Sequence, residues 1–216
     1  SGTTISDSSM ISVFVKPAPV AAFSMSDVCL GDSVHFNNLS TGNGTIISGY
    51  KWKFDDPAVT NDVSLLESPV HHYQIAGWYD PYLVVTNSLG CTDTVTHPLI
   101  VNRPPVAGIR IENPCAGSVT QFHDDSEPGF GPITSWNWSV SATTGFFSED
   151  SIAAPRLIFE TTGEYTVNMI VVDTNGCSDT ANRLFEVSPS PVSEFTIVDN
   201  YENVQGQLQI LNGTVG

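Results

Sequence analysis

The sequence predicts an all-β fold, a set of tandem β-sandwich domains joined by short stiff linkers. Three observations predict it. The first is a repeat: Gly90-Cys91-Thr92-Asp93-Thr94 returns as Gly176-Cys177-Ser178-Asp179-Thr180, an offset of 86 residues. The same offset of 86 relates Cys29 to Cys115, Phe36 to Phe122, Trp52 to Trp138, Gly77 to Gly163, Tyr79 to Tyr165 and Pro19-Val20 to Pro105-Val106. A fixed period of this size is the signature of tandem units. The second is the alternation of apolar and polar residues in short runs, such as Ser33-Val34-His35-Phe36-Asn37 and Tyr50-Lys51-Trp52-Lys53-Phe54, which buries one face of a strand. The third is the absence of sustained helical periodicity, with turn signals separating about seven short strands per copy, the pattern of a β-sandwich.

Taken in order, residues 1–18 read as the C-terminal strand of a preceding repeat, because Ser6-Asp7-Ser8 lies 86 residues before Thr92-Asp93-Thr94. The β-rich run 11–15 closes that repeat, and Lys16-Pro17-Ala18-Pro19 links it to the next, the prolines stiffening the junction by fixing φ. The first full copy spans residues 19–104. In it Cys29-Leu30-Gly31-Asp32 is a turn, 40–49 a loop, 50–54 a strand with aromatics inward, and Pro69-Val70-His71-His72-Tyr73 another extended segment. Trp78 to Val85 is a strand with a break possible at Pro81; Asn87-Ser88-Leu89-Gly90 is a hairpin loop and Thr94 to Val101 the closing strand. The second copy spans 105–190 with strands at 119–122, 135–140, 156–159, 165–172 and 184–187, and Asn175-Gly176 as a hairpin turn. Residues 191–216 read as the start of a following repeat, since Pro191-Val192 repeats the pair again.

The formal net charge is −16 with only seven Lys and Arg. This excludes the clustered positive charge that nucleic-acid binding needs and docking on an anionic membrane surface. No apolar run is long enough to span a bilayer as a helix. Two cysteines per copy at matching positions read as an oxidising compartment, and no CxxC or Cys/His cluster points to zinc.

Phe36-Asn37-Asn38, Tyr50-Lys51-Trp52-Lys53-Phe54-Asp55-Asp56, Pro69-Val70-His71-His72-Tyr73 and Gly77-Trp78-Tyr79 fall in the order seen in PKD (polycystic kidney disease) domains, which the chain therefore resembles. The family's usual Trp-Asp-Phe-Gly-Asp-Gly run stands here as Trp52-Lys53-Phe54-Asp55-Asp56-Pro57 and is eroded further in Trp138-Ser139-Val140-Ser141. The cysteine pattern is similar to PKD repeats of large Bacteroidota surface proteins, including gliding-motility and type IX-secreted adhesins. The resemblance implies Ig-like sandwiches in an extended rod, acting as a non-enzymatic extracellular stalk of an adhesin or surface filament. The alternative is a carbohydrate-binding or spacer module of a secreted hydrolase. Its partners would be neighbouring repeats of the same chain, surface polysaccharide or other adhesin chains, with no nucleic acid and no membrane insertion.

The cysteines are the foremost candidate site. In a seven-strand sandwich Cys29 precedes the second strand at one pole, whereas Cys91 opens the last strand at the other. A disulfide needs Cα atoms within about 7 Å, and a strand of six residues spans about 20 Å. In a head-to-tail rod Cys29 faces Cys177, the preferred pairing, and Cys91 and Cys115 face outer repeats. The outer partners are missing here, since Ile5 and Tyr201 occupy the matching positions, one period out from Cys91 and Cys115. Intra-repeat bonds Cys29–Cys91 and Cys115–Cys177, or free thiols, are the alternatives.

The acidic loop residues Asp55 and Asp56, then Asp124, Asp125 and Glu127, are calcium candidates by ligand type. They lack EF-hand spacing, and turn capping is the competing role; no cofactor is otherwise expected. His71 and His72 are neighbours in a strand and point to opposite faces, so they do not share an ion. Trp52 and Trp138 are expected in the core, while Trp78 and Trp136 are less constrained and, if exposed, are candidates for carbohydrate stacking. Ser33, Thr94, Ser151 and Thr180 each follow Asp and precede an apolar residue, similar to the acceptor of Bacteroidota O-glycosylation. No nucleophile elbow, paired-carboxylate motif or phosphate loop occurs, and no enzyme is expected.

Overall fold

The computed structural model describes residues 15–141, 147 and 149–192, together with the short strands 194–195 and 212–213. Residues 1–14 of the preceding-repeat fragment expected at 1–18, and most of the following-repeat fragment expected at 191–216, lie outside the described residues. Every regular element among the described residues is a strand. The chain forms two compact units, the first taking in the chain up to Pro104 together with Pro128–Pro132 and Asp173–Cys177, the second the remainder.

The strands of the first unit are β1 (Phe23–Ser24), β2 (Val28–Cys29), β3 (Val34–His35), β4 (Asn37–Asn38), β5 (Ile47–Lys53), β6 (Val63–Ser64), β7 (Val70–His71), β8 (Gly77–Tyr79), β9 (Tyr82–Asn87), β10 (Thr92–Thr96) and β11 (Leu99–Asn102). One sheet has the order β10-β9-β5-β6, another β2-β11-β8, and the pairs β1-β4 and β3-β7 complete the Ig-like sandwich. Alternation dictates the packing: in β9, Leu83, Val85 and Asn87 are buried while their neighbours are half exposed. Trp52 is fully buried at the centre, with Phe23 edge-on at 5.0 Å and Phe36 tilted at 5.4 Å between ring centroids. Aromatic pairs in this range favour such tilted and edge-on geometry.

The second unit contains β12 (Ile109–Glu112), β13 (Val119–Asp124), β14 (Ile133–Val140), β15 (Arg156–Ile158), β16 (Gly163–Asp173) and β17 (Ser178–Val187), then β18 (Glu194–Phe195) and β19 (Asn212–Gly213). Two three-stranded sheets, β12-β13-β15 and β14-β16-β17, enclose a core of Phe122, Trp138, Phe159, Val167, Met169, Val171 and Val187. β18 pairs with β19 as a separate two-stranded sheet.

Proline decides where the copies differ. In the first, the chain is interrupted at Asp80-Pro81, between β8 and β9, and at His97-Pro98, between β10 and β11. Proline has no N–H for the ladder, and the chain changes sheet at both points. The closing segment read as one strand, Thr94 to Val101, is therefore two. In the second copy the equivalent residues are Val167 and Leu184, and β16 and β17 pair without interruption over ten positions. The loop expected at 40–49 is also shorter than expected. A turn with Asn43 at φ 49° and Gly44 at φ 85° delivers the chain into β5 at Ile47, both residue types tolerating the left-handed region.

The repeated polar residues have a structural reason. Asp93 Oδ2 accepts from the backbone N–H of Ala21 at 2.8 Å, and Asp179 Oδ2 from Ala107 at 2.8 Å, each tying the start of its copy to the last hairpin. Asn87 Oδ1 accepts from the N–H of Leu89 and Cys91, and Asp173 Oδ1 from Asn175 and Cys177, so one side chain organises each hairpin turn. The equivalence is incomplete. Asn87 Nδ2 donates to Pro17 O at 2.8 Å, whereas Asp173 Oδ2 is buried with no hydrogen-bond partner. An unsatisfied buried polar atom costs about 1–3 kcal/mol. Asp173→Asn retains the two acceptor bonds and puts an uncharged amide where the carboxylate oxygen lies buried without a partner, which lowers the cost of burial. It is expected to raise the thermal midpoint, and a lower midpoint in differential scanning calorimetry would contradict this account.

Candidate functional site

Cys29 and Cys177 are bonded to each other, with Cα atoms 5.6 Å apart and a sequence separation of 148. Cys29 lies at the end of β2, paired in parallel with Asn102 at the end of β11. Cys177 closes the turn held by Asp173 and is 1% exposed. Cys91 and Cys115 are unbonded and half-buried. The intra-repeat alternatives Cys29–Cys91 and Cys115–Cys177 are not formed. The reason is strand length: Cys91 precedes β10, while Cys29 sits beside the far end of β11. Ten residues of extended chain separate the two ends, on the order of 30 Å, against a Cα limit of about 7 Å for a disulfide.

The acidic candidates are engaged by protein donors. Asp56 is buried; its Oδ1 accepts from the N–H of Ala58, and its Oδ2 receives His71 Nε2 at 2.9 Å. Asp55 has φ 60°, and its Oδ2 accepts from Asp80 N–H at 3.1 Å. Asp124 accepts from Ser126 N–H and from Trp136 Nε1 at 2.7 Å, and Asp125 faces Arg110 at 3.5 Å. Among the described residues no three His, Cys, Asp or Glu side chains are grouped to hold a metal ion. These carboxylates therefore cap turns and pair with cations, the role calcium ligation would have to displace.

Asp62, which no repeat or motif signalled, is the hub of the same loop. Its two oxygens accept from Phe54 N–H and Asp56 N–H, and Lys53 Nζ lies 2.8 Å away, a hydrogen bond that holds the ammonium above its ordinary pKa. His71 lies flat on Phe54 at 4.2 Å and edge-on to Tyr73 at 4.6 Å; His72 is exposed. Tyr73 is buried and donates to Phe54 O at 2.7 Å.

Burial pushes the Tyr73 phenol far above its ordinary pKa, and Asp62 and Asp56 add to the shift. The folded state therefore holds this proton more tightly than the unfolded chain. The resulting stability is fully present below the unfolded value near pH 10 and is lost as pH rises beyond it, by at most about 1.4 kcal/mol per pH unit. Tyr73→Phe is expected to flatten the fall of the thermal midpoint between about pH 10 and 11, at the cost of the bond to Phe54 O. An unchanged slope would count against this role. Burial also raises Tyr79 and Tyr50, so part of the slope remains in the variant.

Trp52 and Trp138 are core residues, and each indole donates to a carbonyl fourteen residues on, Leu66 O and Ile152 O, both at 2.9 Å. Trp136 is half-buried and bonded to Asp124. Trp78 is 71% exposed, with one face stacked on Phe130 at 5.0 Å. Gly129-Phe130-Gly131 owes its glycines to close approach. A Cβ on Gly129 would lie 1.9 Å from Arg103 O, and one on Gly131 2.4 Å from Thr174 Oγ1. Ser33, Thr94, Ser151 and Thr180 are all exposed.

A family model described as PKD domain matches residues 15–101 and again 102–187. The chain belongs to the PKD domain family. Two PKD repeats thus stand in tandem, and Asp55 occupies the position of the family's central Gly with the positive φ that such a Gly supplies. Among solved structures, the PKD1 domain of Vibrio anguillarum Epp is 32% identical, covers 41% of this chain and 98% of its own, and has a TM-score of 0.37. The PKD1 domain of the Vibrio cholerae metalloprotease PrtV is 32% identical, with 39% and 98% coverage and a TM-score of 0.35. The fibronectin(III)-like modules of Clostridium thermocellum CbhA align over 78% of this chain and 95% of theirs at 10% identity and a TM-score of 0.40.

Proposed function

We propose that the PKD pair is a non-enzymatic, extracellular stalk segment of a large surface adhesin or filament, of the kind found among gliding-motility and type IX-secreted proteins. The observation that carries this reading is the bond between Cys29 of the first repeat and Cys177 of the second. A disulfide of this kind belongs to an oxidising compartment. A covalent clasp across successive repeats, each with its own aromatic core, suits a segment that bears tension rather than one that turns over substrate. No helix among the described residues is long and apolar enough to cross a membrane.

Single-molecule pulling tests the mechanical role. In the oxidised chain the segment closed by the bond, a sequence separation of 148, stays locked, withholding about 500 Å of contour length at about 3.6 Å per residue. Reductant should release that length. Equal extension with and without reductant would defeat the proposal.

A second reading, a carbohydrate-binding module, has one observation in its favour. The exposed ring of Trp78 borders a pocket of about 370 Å³ that Lys53, Asp55, Asp56 and Asp62 also line, an aromatic face beside polar groups, as in small-molecule sites generally. Glycan-array binding that disappears in Trp78→Ala would establish it, and a blank array would remove it.

A further inference from the structure

Cys91 and Cys115 are built like the two halves of the bond that is formed. Cys91 N–H donates to Asn87 Oδ1 at 3.0 Å, as Cys177 N–H donates to Asp173 Oδ1 at 2.9 Å, and both turns place glycine at positive φ, Gly90 at 79° and Gly176 at 82°. Cys115 bridges Ser188 in parallel, and Ala116 N–H donates to Ser188 O at 2.9 Å. Cys29 likewise pairs with Asn102, and Leu30 N–H donates to Asn102 O at 2.8 Å. The chain itself passes both half-sites. The linker leading into the first repeat rests on the Cys91 hairpin, through Lys16 Nζ to Leu89 O and Asn87 Nδ2 to Pro17 O. The chain leaving the second repeat runs beside Cys115 at Ser188.

We propose that Cys91 and Cys115 are cross-link sites for flanking PKD repeats. Cys91 takes a cysteine 148 residues before it, and Cys115 one 148 residues after it, repeating the span of Cys29–Cys177. This rests on reading the chain as part of a longer array. In support, Phe195 of β18 lies two periods beyond Phe23 of β1, and each pairs with a strand shortly downstream, Phe23 with Asn38 of β4 (38 − 23 = 15) and Phe195 with Asn212 of β19 (212 − 195 = 17). Ile5 and Tyr201, one period out, are not the partners, because the bond joins the Cys29 position of one repeat to the Cys177 position of the next. By that register the partner of Cys115 falls at position 263, since 115 + 148 = 263, and that of Cys91 lies before residue 1.

Each bond forms by exchange with an oxidised dithiol carrier. One cysteine thiolate attacks the carrier disulfide, the second displaces the reduced carrier, and two electrons and two protons leave with it. The half-buried sulfurs of Cys91 and Cys115 remain open to that attack.

The test is peptide mapping of the unreduced full-length protein after alkylation, beside the 216-residue chain. In the short chain, Cys91 and Cys115 are expected to be alkylated and Cys29–Cys177 linked. In the full-length protein, both are expected in peptides joined to flanking repeats at the stated spacing, and Cys91→Ser should liberate one thiol upstream. Alkylated Cys91 or Cys115 in the full-length protein, or a Cys91–Cys115 link, overturns the proposal while leaving the stalk reading intact. Flanking sequence without PKD repeats overturns the array and the cross-links together.

Discussion

Trp52→Ala is expected to destabilise the first PKD repeat by about 3–5 kcal/mol, the range for deleting a large buried aromatic side chain. Trp52 is fully buried, touches Phe23 and Phe36 across the sandwich, and its indole N–H satisfies Leu66 O. The substitution therefore opens a cavity and strips a carbonyl of its donor. Trp52→Phe separates the two effects: it restores much of the volume but leaves Leu66 O, on an exposed residue, to water, for a cost of about 0.5–1.5 kcal/mol. Calorimetry measures both losses, and Trp138, in a separate core cluster, is left untouched by either substitution. A loss below about 1 kcal/mol in Trp52→Ala would mean that the core is not organised around this ring.

Breaking Cys29–Cys177, by reductant or by paired serine substitution, is expected to lower stability by about 2–4 kcal/mol. The effect acts mostly on the unfolded chain. A loop of 148 residues is closed by the bond, and loop-closure entropy grows only slowly with length. Urea midpoints with and without reductant measure it. Cys91→Ser and Cys115→Ser in the 216-residue chain should leave the midpoint where it was, since neither sulfur is bonded there. Equal midpoints for oxidised and reduced chains would remove the bond from the account of stability.

Much of the fold was legible because the information is local and repeated. Val34 and Phe36 alternate with polar neighbours, so that strand and its inward face could be read without coordinates; 86 positions on only Phe122 keeps the pattern, and Thr120, in the place of Val34, is buried while apolar Val119 is exposed. The core tryptophans followed from the same alternation. The division of the closing segment into β10 and β11 was missed because a single Pro98 moves the chain between sheets only when a second sheet is there to receive it. Asp62 was missed for a related reason. Its three donors, Phe54, Asp56 and Lys53, lie up to nine residues back along the chain and converge only once the loop has folded over.

The sequence by itself determined an all-β chain of PKD repeats with a period of 86 residues, an acidic surface and cysteines at matching positions. The period, the acidity and the cysteine positions are properties of composition and spacing and the PKD family of its motif residues, all of which survive in an unfolded chain. Which sulfurs bond, which carboxylates are consumed by turns, and which tryptophan stays in water were decided by the tertiary structure. Each depends on distances between segments far apart in sequence: Cys29 meets Cys177 rather than Cys91 because extended strands hold the poles of one repeat too far apart for a bond of a few ångströms.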